Sequence, residues 1–265
     1  MLLLRRPLCL SFAILFAGCM SWPELPLGPW PEGECPDSMH MAFDYTAPVT
    51  KVDVLLVIDN SMSMAEEQAE LAEKFPTLVR SLLDPPLDPV TGLREHVAVH
   101  DIHIGVVSTD MGTGGYSVET CSDPIDGDNG ELQHFPNPSL PGCDPSYPTF
   151  VSNGGEHDAG TLDWLSTAFG CIATLGIDGC GFEQQLKASA KALIDHREGA
   201  NAGFLRRDSI LVVLFVTDEE DCSVKRGNES LFDTLDSSLG HLGERCFHHP
   251  YMIEPVETYV DAFRS

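Results

Sequence analysis

Residues 52–64, V-D-V-L-L-V-I-D-N-S-M-S-M, combine a short apolar run with a polar cluster that follows it directly. The run from Val54 to Ile58 is rich in branched side chains and is apolar at both odd and even positions. This pattern is typical of a strand buried on both faces of a parallel sheet. The polar residues after it would then lie at the carboxyl edge of that sheet, where open α/β sheets bind their ligands.

The remaining pattern predicts an α/β fold with a doubly wound, mostly parallel sheet flanked by helices. A helix is predicted over residues 64–83, capped by Ser63 and kinked at Pro76. The other predicted elements are strands within 97–108 and 209–217, and helices at 162–175, 182–194 and 254–263. The last 47 residues show no buried-strand pattern, so either the sheet is short or the chain is truncated.

The N-terminus predicts export. Arg5 and Arg6 precede an apolar stretch, residues 8–17, that is too short to span a bilayer. The stretch ends in F-A-G-C and resembles a bacterial lipoprotein signal, which implies cleavage after residue 18 and lipidation of Cys19. The alternative is an ordinary secretory signal with an incidental cysteine. We expect a lipid-anchored protein of the bacterial cell envelope, in the outer membrane or facing the periplasm.

Three segments follow from this organisation: a signal peptide (1–18), a proline-rich tether (19–48) and a domain (49–265). The domain contains an insertion over 111–160 that is rich in Gly, Pro and Cys and has little periodicity. Within it, residues 123–131 resemble a calcium-binding loop only loosely and lack the full ligand spacing. They are therefore interpreted as an acidic turn.

The charge is strongly unbalanced, with 41 acidic and 15 basic residues and a formal net charge of −26. Such a surface repels nucleic acid and anionic lipid headgroups, so we expect no nucleic-acid partner, and membrane contact only through the anchor. The excess of acid is commonly a means of staying soluble, but it also suits cations or a basic partner.

Nine cysteines support an oxidising compartment. No two of them form a C-x-x-C pair, which argues against zinc or thioredoxin-type chemistry. Connectivity does not follow from sequence, but pairing between neighbours along the chain is plausible. It predicts three disulfides and leaves Cys35 over: Cys121–Cys143, Cys171–Cys180 and Cys222–Cys246.

Acidic residues end two of the predicted buried strands, Asp59 after the first and Asp218 after the last. If the strands are neighbours, these carboxylates meet at one edge and repel each other unless a cation lies between them. Ser61 and Ser63 add neutral oxygens at alternate positions. With water, this set suits a hard divalent cation, Mg²⁺ or Mn²⁺, with Ca²⁺ also possible.

These residues resemble the metal-ion-dependent adhesion site of the von Willebrand factor type A (vWA) domain. Asp59, Ser61 and Ser63 match its D-x-S-x-S motif, and Asp218 in V-T-D matches its later aspartate. More narrowly, residues 103–110, 179–184 and 215–223 are similar to a cysteine-rich class of bacterial lipoproteins that carry this domain. The resemblance covers about residues 50 to 265.

The resemblance also implies a threonine ligand from the loop before a central helix. That loop corresponds to residues 176–183, which contain no threonine, and Thr161 lies a whole helix too early. Glu183 is the candidate substitute. The competing interpretation of the motif is that its Asp and Ser residues only cap the helix that follows.

In this family, the open metal position accepts a carboxylate from a protein partner, which implies a binding module and not an enzyme. A structural envelope lipoprotein with a vestigial site is one alternative. The other is a metal-dependent hydrolase, but its chemistry needs a second aspartate where Ser61 stands, and a basic residue near the metal.

Overall fold

The computed structural model describes residues 50–156 and 158–264, which all belong to one compact unit. The predicted signal peptide, Cys19 and the tether lie outside these residues. The described strands are β1 (Lys51–Ile58), β2 (Asp101–Ser108), β3 (Val151–Ser152) and β4 (Ile210–Val216). They form one four-stranded sheet in the order β3-β2-β1-β4.

The sheet is mostly parallel, as the sequence predicts. β1 runs parallel to β2 and β4 on either side of it, and only the two-residue β3 is antiparallel to its neighbour. Ile58, the last residue of β1, is paired with both Ser108 and Val216. The chain therefore leaves β1, β2 and β4 at the same level, and the residues after these three strands lie side by side.

Helices cover both faces of the sheet. On one face lie α1 (Ala65–Leu83) and α2 (Ala159–Ala173), whose Phe75 and Phe169 rings stack with their centroids 3.8 Å apart. On the other face lies α3 (Gln185–Ala190), which continues as a π-helical turn, Lys191–Asp195. Because both faces are covered, every residue of β1 after Lys51 is buried.

β4 is less buried than its sequence predicts. All of its residues are partly exposed, and Phe215 is 41% exposed. The reason is its position: in the described part of the chain β4 is an edge strand, paired only with β1. Between β4 and Arg264 the chain forms no further strand. This stretch instead contains α4 (Arg245–His248), α5 (Val256–Arg264) and four short 3₁₀ turns: Glu229–Phe232, Ser237–Leu239, Leu242–Glu244 and Pro250–Met252.

Two expectations about helix ends need correction. Ser63 does not cap α1, because it lies inside a 3₁₀ turn, Met62–Met64, that leads into the helix. Pro76 lies inside α1, which continues for seven more residues to Leu83, and the kink predicted there stays a prediction. The helix predicted over 182–194 begins only at Gln185, because the backbone N–H of Gln184 donates to the Thr109 carbonyl at 3.1 Å and holds the preceding residues in a loop.

Three disulfides cross-link the described residues, but two of the expected pairings are wrong. The structure joins Cys121 to Cys180 and Cys143 to Cys171, whereas Cys222–Cys246 is paired as predicted. Cys121 is paired with the fourth of these six cysteines along the chain and not with the next one, which leaves Cys143 to pair with Cys171. The insertion runs beside the 176–183 loop, so the Cα atoms of Cys121 and Cys180 are 3.9 Å apart, and Cys143 packs against the buried side of α2.

Peptide mapping tests this connectivity directly. Digestion of the unreduced protein should release one disulfide-linked pair containing Cys121 and Cys180 and another containing Cys143 and Cys171. Mass spectrometry before and after reduction identifies both. A linked pair containing Cys121 and Cys143 would contradict the structure and restore the neighbour pairing.

Candidate functional site

The carboxyl edge of the sheet brings the four predicted site residues together. Asp59 follows β1, and its N–H donates to the carbonyl of Val216 in β4 at 2.9 Å. The hydroxyl of Thr217 donates to Asp59 Oδ2 at 2.9 Å. Ser63 Oγ donates to Asp218 Oδ1 at 3.2 Å, which connects the D-x-S-x-S segment to the acidic residue after β4.

The local fold of this segment explains its spacing. The Ser61 N–H donates to Asp59 Oδ1 at 2.8 Å, a tight turn that reverses the chain after β1. The 3₁₀ turn that follows then places Ser61 Oγ 3.2 Å from Ser63 Oγ. Alternate residues of the motif therefore present their oxygens on one side, while Met62 between them is 72% exposed.

Glu183 joins this cluster from the loop before α3. Its side chain is buried, and the Cys222 N–H donates to its carbonyl at 2.7 Å, which holds it beside the chain after β4. Burial, reinforced by the negative charges of Asp59, Glu219 and Asp218, raises the pKa of Glu183 to about 8. Glu183 therefore lies close to Asp59 and Asp218, and its role as a ligand stays a prediction.

Asp59 has a raised pKa for related reasons. Burial of its carboxylate is the largest cause, and the charge of Asp218 adds to it, while hydrogen bonds from Ser61 and Thr217 oppose the shift. The site thus places the buried carboxyl groups of Asp59 and Glu183 beside the exposed negative charge of Asp218. This is the electrostatic environment that a bound cation would relieve.

A cleft of about 740 Å³ opens beside these residues. We call it the first cleft. None of the described residues that line it is Lys, Arg or His, and its walls combine carboxylates and hydroxyls with two exposed apolar side chains, Met62 and Ile177. Its lining consists of Ser61, Met62, Ser63, Glu119, Thr120, Ser122, Ile177, Asp178, Gly179, Gly181, Glu183 and Glu219.

Two threonines near the site were missed by the sequence reasoning. Thr120 lines the first cleft from the insertion, opposite Gly181, where an added Cβ would lie 3.1 Å from the Thr120 hydroxyl. Thr109 directly follows β2 and donates its N–H to the Ile58 carbonyl, so it lies next to Asp59 across the sheet. Its Oγ1 is fully buried and has no hydrogen-bond partner among the described residues.

Neither threonine lies in the 176–183 loop where the resemblance places one. Thr120 is next to Cys121, whose disulfide to Cys180 holds the insertion against that loop, and this pairing was not predicted. Thr161, rejected on position, is in the first turn of α2, where its N–H donates to the Asp158 carboxylate at 3.1 Å. It does not line the first cleft.

A separate group of Asp110, Cys121 and Cys180 has donor atoms within 4.8 Å of one another and could hold a metal ion. In the structure its two sulfurs are joined as a disulfide, so only the Asp110 carboxylate is available in the oxidised protein. That carboxylate accepts the N–H groups of Gly112 at 2.9 Å and Cys180 at 3.1 Å. Binding through sulfur would require reduction of the disulfide, because thiolates are the metal ligands.

The three disulfides indicate an oxidising, extracytoplasmic compartment. Across residues 50–156 and 158–264, every helix is too short or too polar to cross a bilayer.

Searches of protein-family models, curated proteins and solved structures found no match to this chain. Its function is therefore inferred from the geometry and chemistry of the site.

Proposed function

We propose that this chain is an exported, lipid-anchored domain of the vWA type that binds a protein partner through a divalent cation. Asp59, Ser61, Ser63 and Asp218 would hold the cation, and Cys19 would carry the lipid. One observation carries the proposal: two carboxylates from neighbouring parallel strands converge with two hydroxyls at the ligand-binding edge of the sheet.

The donor set fits Mg²⁺ or Mn²⁺. It consists of carboxylate and hydroxyl oxygens, which these hard cations prefer, and it leaves positions for water. The buried and partnerless hydroxyl of Thr109 beside Asp59 is a further neutral oxygen that no protein group satisfies. Glu183 adds a carboxyl group whose ionised form is unfavourable without a cation.

A cation bound here supplies a coordination position for a carboxylate of the partner, as the resemblance implies. The chain's own residues would then set which partner fits. Met62 projects at the mouth of the first cleft and offers apolar contact, while Glu119 and Asp178 give the surrounding wall a negative charge. We therefore expect the partner to surround its acidic ligand with apolar or basic groups.

The lining of the first cleft favours binding over phosphoryl transfer. Such transfer needs positive charge to stabilise the transferring group, and no Lys, Arg or His lines this cleft within the described residues. Ser61 also stands where a second catalytic aspartate of a phosphohydrolase would be required.

Metal binding is tested by thermal unfolding of the oxidised protein in Mg²⁺, Mn²⁺ or chelator. A ligand at about 100 times its dissociation constant stabilises the folded state by about 2.7 kcal/mol, or very roughly 5 to 10 °C for a domain of this size. Asp59→Ala should abolish the shift because it removes a ligand. Glu220→Gln, in the acidic segment after β4 but outside the cleft lining, should retain it.

A cooperative melt that does not respond to any of these cations would contradict the proposal. It would support the alternative of a structural envelope lipoprotein with a vestigial site. If the shift is present, a partner search with the wild-type protein and with Asp59→Ala as the negative control is the next measurement.

A further inference from the structure

The Cys121–Cys180 disulfide adjoins the wall of the first cleft. Both cysteines are buried, and the residues on either side of each line that cleft: Thr120, Ser122, Gly179 and Gly181. Cys121 belongs to the insertion and Cys180 to the 176–183 loop, 59 residues apart in sequence. The bond therefore cross-links two distant segments that together form the cleft wall.

Asp110 is the third member of this group. One donor atom each from Asp110, Cys121 and Cys180 lies within 4.8 Å of the other two, and residues 50–156 and 158–264 contain no other such group of three His, Cys, Asp or Glu side chains. The Asp110 carboxylate is buried and held by the N–H groups of Gly112 at 2.9 Å and of Cys180 at 3.1 Å. Because an ionised carboxylate has about four acceptor positions, these two bonds leave it able to bind a cation.

A further oxygen and a route from solvent complete the arrangement. The carbonyl oxygen of Asp123 lies 3.5 Å from Cys121 Sγ and 3.9 Å from Cys180 Sγ. A second cleft, of about 400 Å³, is lined by Asp110, by Ser122 and Asp123 beside Cys121, and by Gly179 beside Cys180. A metal site needs such an entry path in addition to its ligands.

We propose that this group binds a zinc ion when the Cys121–Cys180 disulfide is reduced. The two thiolates and the Asp110 carboxylate are the protein ligands, and the Asp123 carbonyl or a water occupies the fourth position of a tetrahedral site. The thiolates favour zinc over Mg²⁺ and Ca²⁺, which bind through oxygen. The lack of C-x-x-C pairs does not conflict with this site, because its ligands come from three segments that only the fold brings together.

In an oxidising compartment the reduced form needs a reductant, which we take to be a dithiol. A thiolate of the dithiol attacks one sulfur of the disulfide, and its second thiol resolves the mixed disulfide. The S–S bond of the protein breaks and one forms within the reductant, which loses two electrons, while two protons pass to the protein sulfurs. Zn²⁺ then displaces both protons to solvent. The metal would replace the disulfide as the link between the insertion and the 176–183 loop.

Titration of the dithiol-reduced protein with Co²⁺ tests the proposal, because cobalt bound by thiolates absorbs in the near ultraviolet and cobalt bound only by oxygen does not. After anaerobic removal of the dithiol, one Co²⁺ should bind with this absorption, and Zn²⁺ should displace it. The oxidised protein should give no such signal. Replacing both Cys121 and Cys180 with serine should abolish it, and Asp110→Asn should weaken binding by about tenfold or more, since loss of even an outer partner of a metal ligand costs that much.

The matched control replaces both Cys143 and Cys171 with serine, because this pair belongs to no group of three close donors within the described chain. It should keep the absorption, as should Asp126→Asn, which removes an exposed acid of the insertion. If a cysteine variant fails to fold, alkylation of the reduced wild-type protein is the second measurement. Zn²⁺ should slow alkylation of Cys121 and Cys180 but not of Cys143 and Cys171, as read by peptide mass.

Three results would overturn the proposal. The first is that reduced wild-type protein shows no thiolate absorption with Co²⁺, including the case in which it unfolds and Zn²⁺ does not restore its fold. The second is that the absorption survives the loss of Cys121 and Cys180, and the third is that Asp110→Asn binds as tightly as wild type. Asp59→Ala should leave this site intact, so failure of the adhesion-site proposal is a separate outcome.

Discussion

Above pH 8, in the presence of chelator, Glu183→Gln should be more stable than the wild-type protein by roughly 3 to 5 kcal/mol. The pKa of Glu183 is about 8 in the folded protein, against 4.5 for an unperturbed glutamate. Each pKa unit of such a difference corresponds to about 1.4 kcal/mol. The expected effect is therefore large for a domain whose total stability is about 5 to 15 kcal/mol.

The direction follows from proton binding. Between pH 4.5 and 8, the folded protein keeps the proton on Glu183 while the unfolded chain has lost it. The folded state then binds more protons, so the stability of the metal-free protein falls as the pH rises through this window. Glutamine resembles the protonated acid, so the variant should lose this part of the pH dependence. A bound cation favours the ionised carboxylate, so Mg²⁺ should offset the loss of stability in the wild-type protein.

Urea unfolding at pH 5 and pH 8.5, each with chelator, measures the effect. Glu119→Gln is the matched control, because Glu119 lines the same cleft but is exposed. It should follow the wild-type pH dependence. Parallel pH profiles for wild type and Glu183→Gln would show that Glu183 is not held in the dehydrated, negatively charged position described here.

Replacing Asp53 with asparagine should destabilise the protein by about 3 to 5 kcal/mol, the usual cost of removing one partner of a buried ion pair. Asp53 lies near the start of β1 and is fully buried. Its Oδ1 accepts from Arg206 Nε at 2.8 Å, and its Oδ2 accepts the Arg206 N–H at 2.7 Å and the hydroxyl of Ser209. In the variant, an amide N–H₂ would face these donors, and Arg206 would keep only Asp101 as an anionic partner.

This pair connects the strands at the end of the sheet opposite to the candidate metal site. Arg206 also donates to the carbonyls of Val52 at 3.1 Å and Asp101 at 3.2 Å, so one side chain joins the beginnings of β1 and β2 to the segment before β4. Its loss should loosen the pairing of β1 with β4, on which the meeting of Asp59 and Asp218 depends. The predicted destabilisation should therefore be accompanied by weaker Mg²⁺ binding.

Urea unfolding at neutral pH measures this change. Asp208→Asn is the control, since Asp208 forms an exposed ion pair with Lys51, and exposed pairs contribute little. If Asp53→Asn lowers the free energy of unfolding as little as Asp208→Asn does, the buried pair is not what holds these strands together.

Much of the fold was accessible from sequence because its signals are local. The uninterrupted apolar run at Val54–Ile58 identified β1 as a strand covered on both faces, and the structure buries it there. The same reasoning overestimated the burial of β4, whose run is just as apolar. An apolar run indicates that a strand is suited to burial, but its actual burial depends on whether another element lies beside it. Among the described residues β4 is an edge strand with only one neighbour.

In the candidate site too, some residues were predictable from local sequence patterns and others were not. Four residues were identified because they come shortly after recognisable strands, and parallel strands end at one edge: Asp59, Ser61, Ser63 and Asp218. Thr109 and Thr120 were missed. Thr109 also follows a strand, but a threonine at that place has no distinctive sequence pattern. It became a candidate only because its hydroxyl is buried without a hydrogen-bond partner among the described residues. Thr120 lies in an aperiodic insertion, whose position no local pattern indicates.

The sequence by itself determined the fold class, the strand that carries the D-x-S-x-S segment and the excess of acid, because each depends on the order and type of nearby residues. Only the tertiary structure decided the pairing of Cys121 with Cys180, the raised pKa of Glu183 and the ion pair of Asp53 with Arg206. Each of these depends on the distance between segments far apart in the chain. Those distances are set by the packing of the whole domain, which no local pattern of side chains encodes.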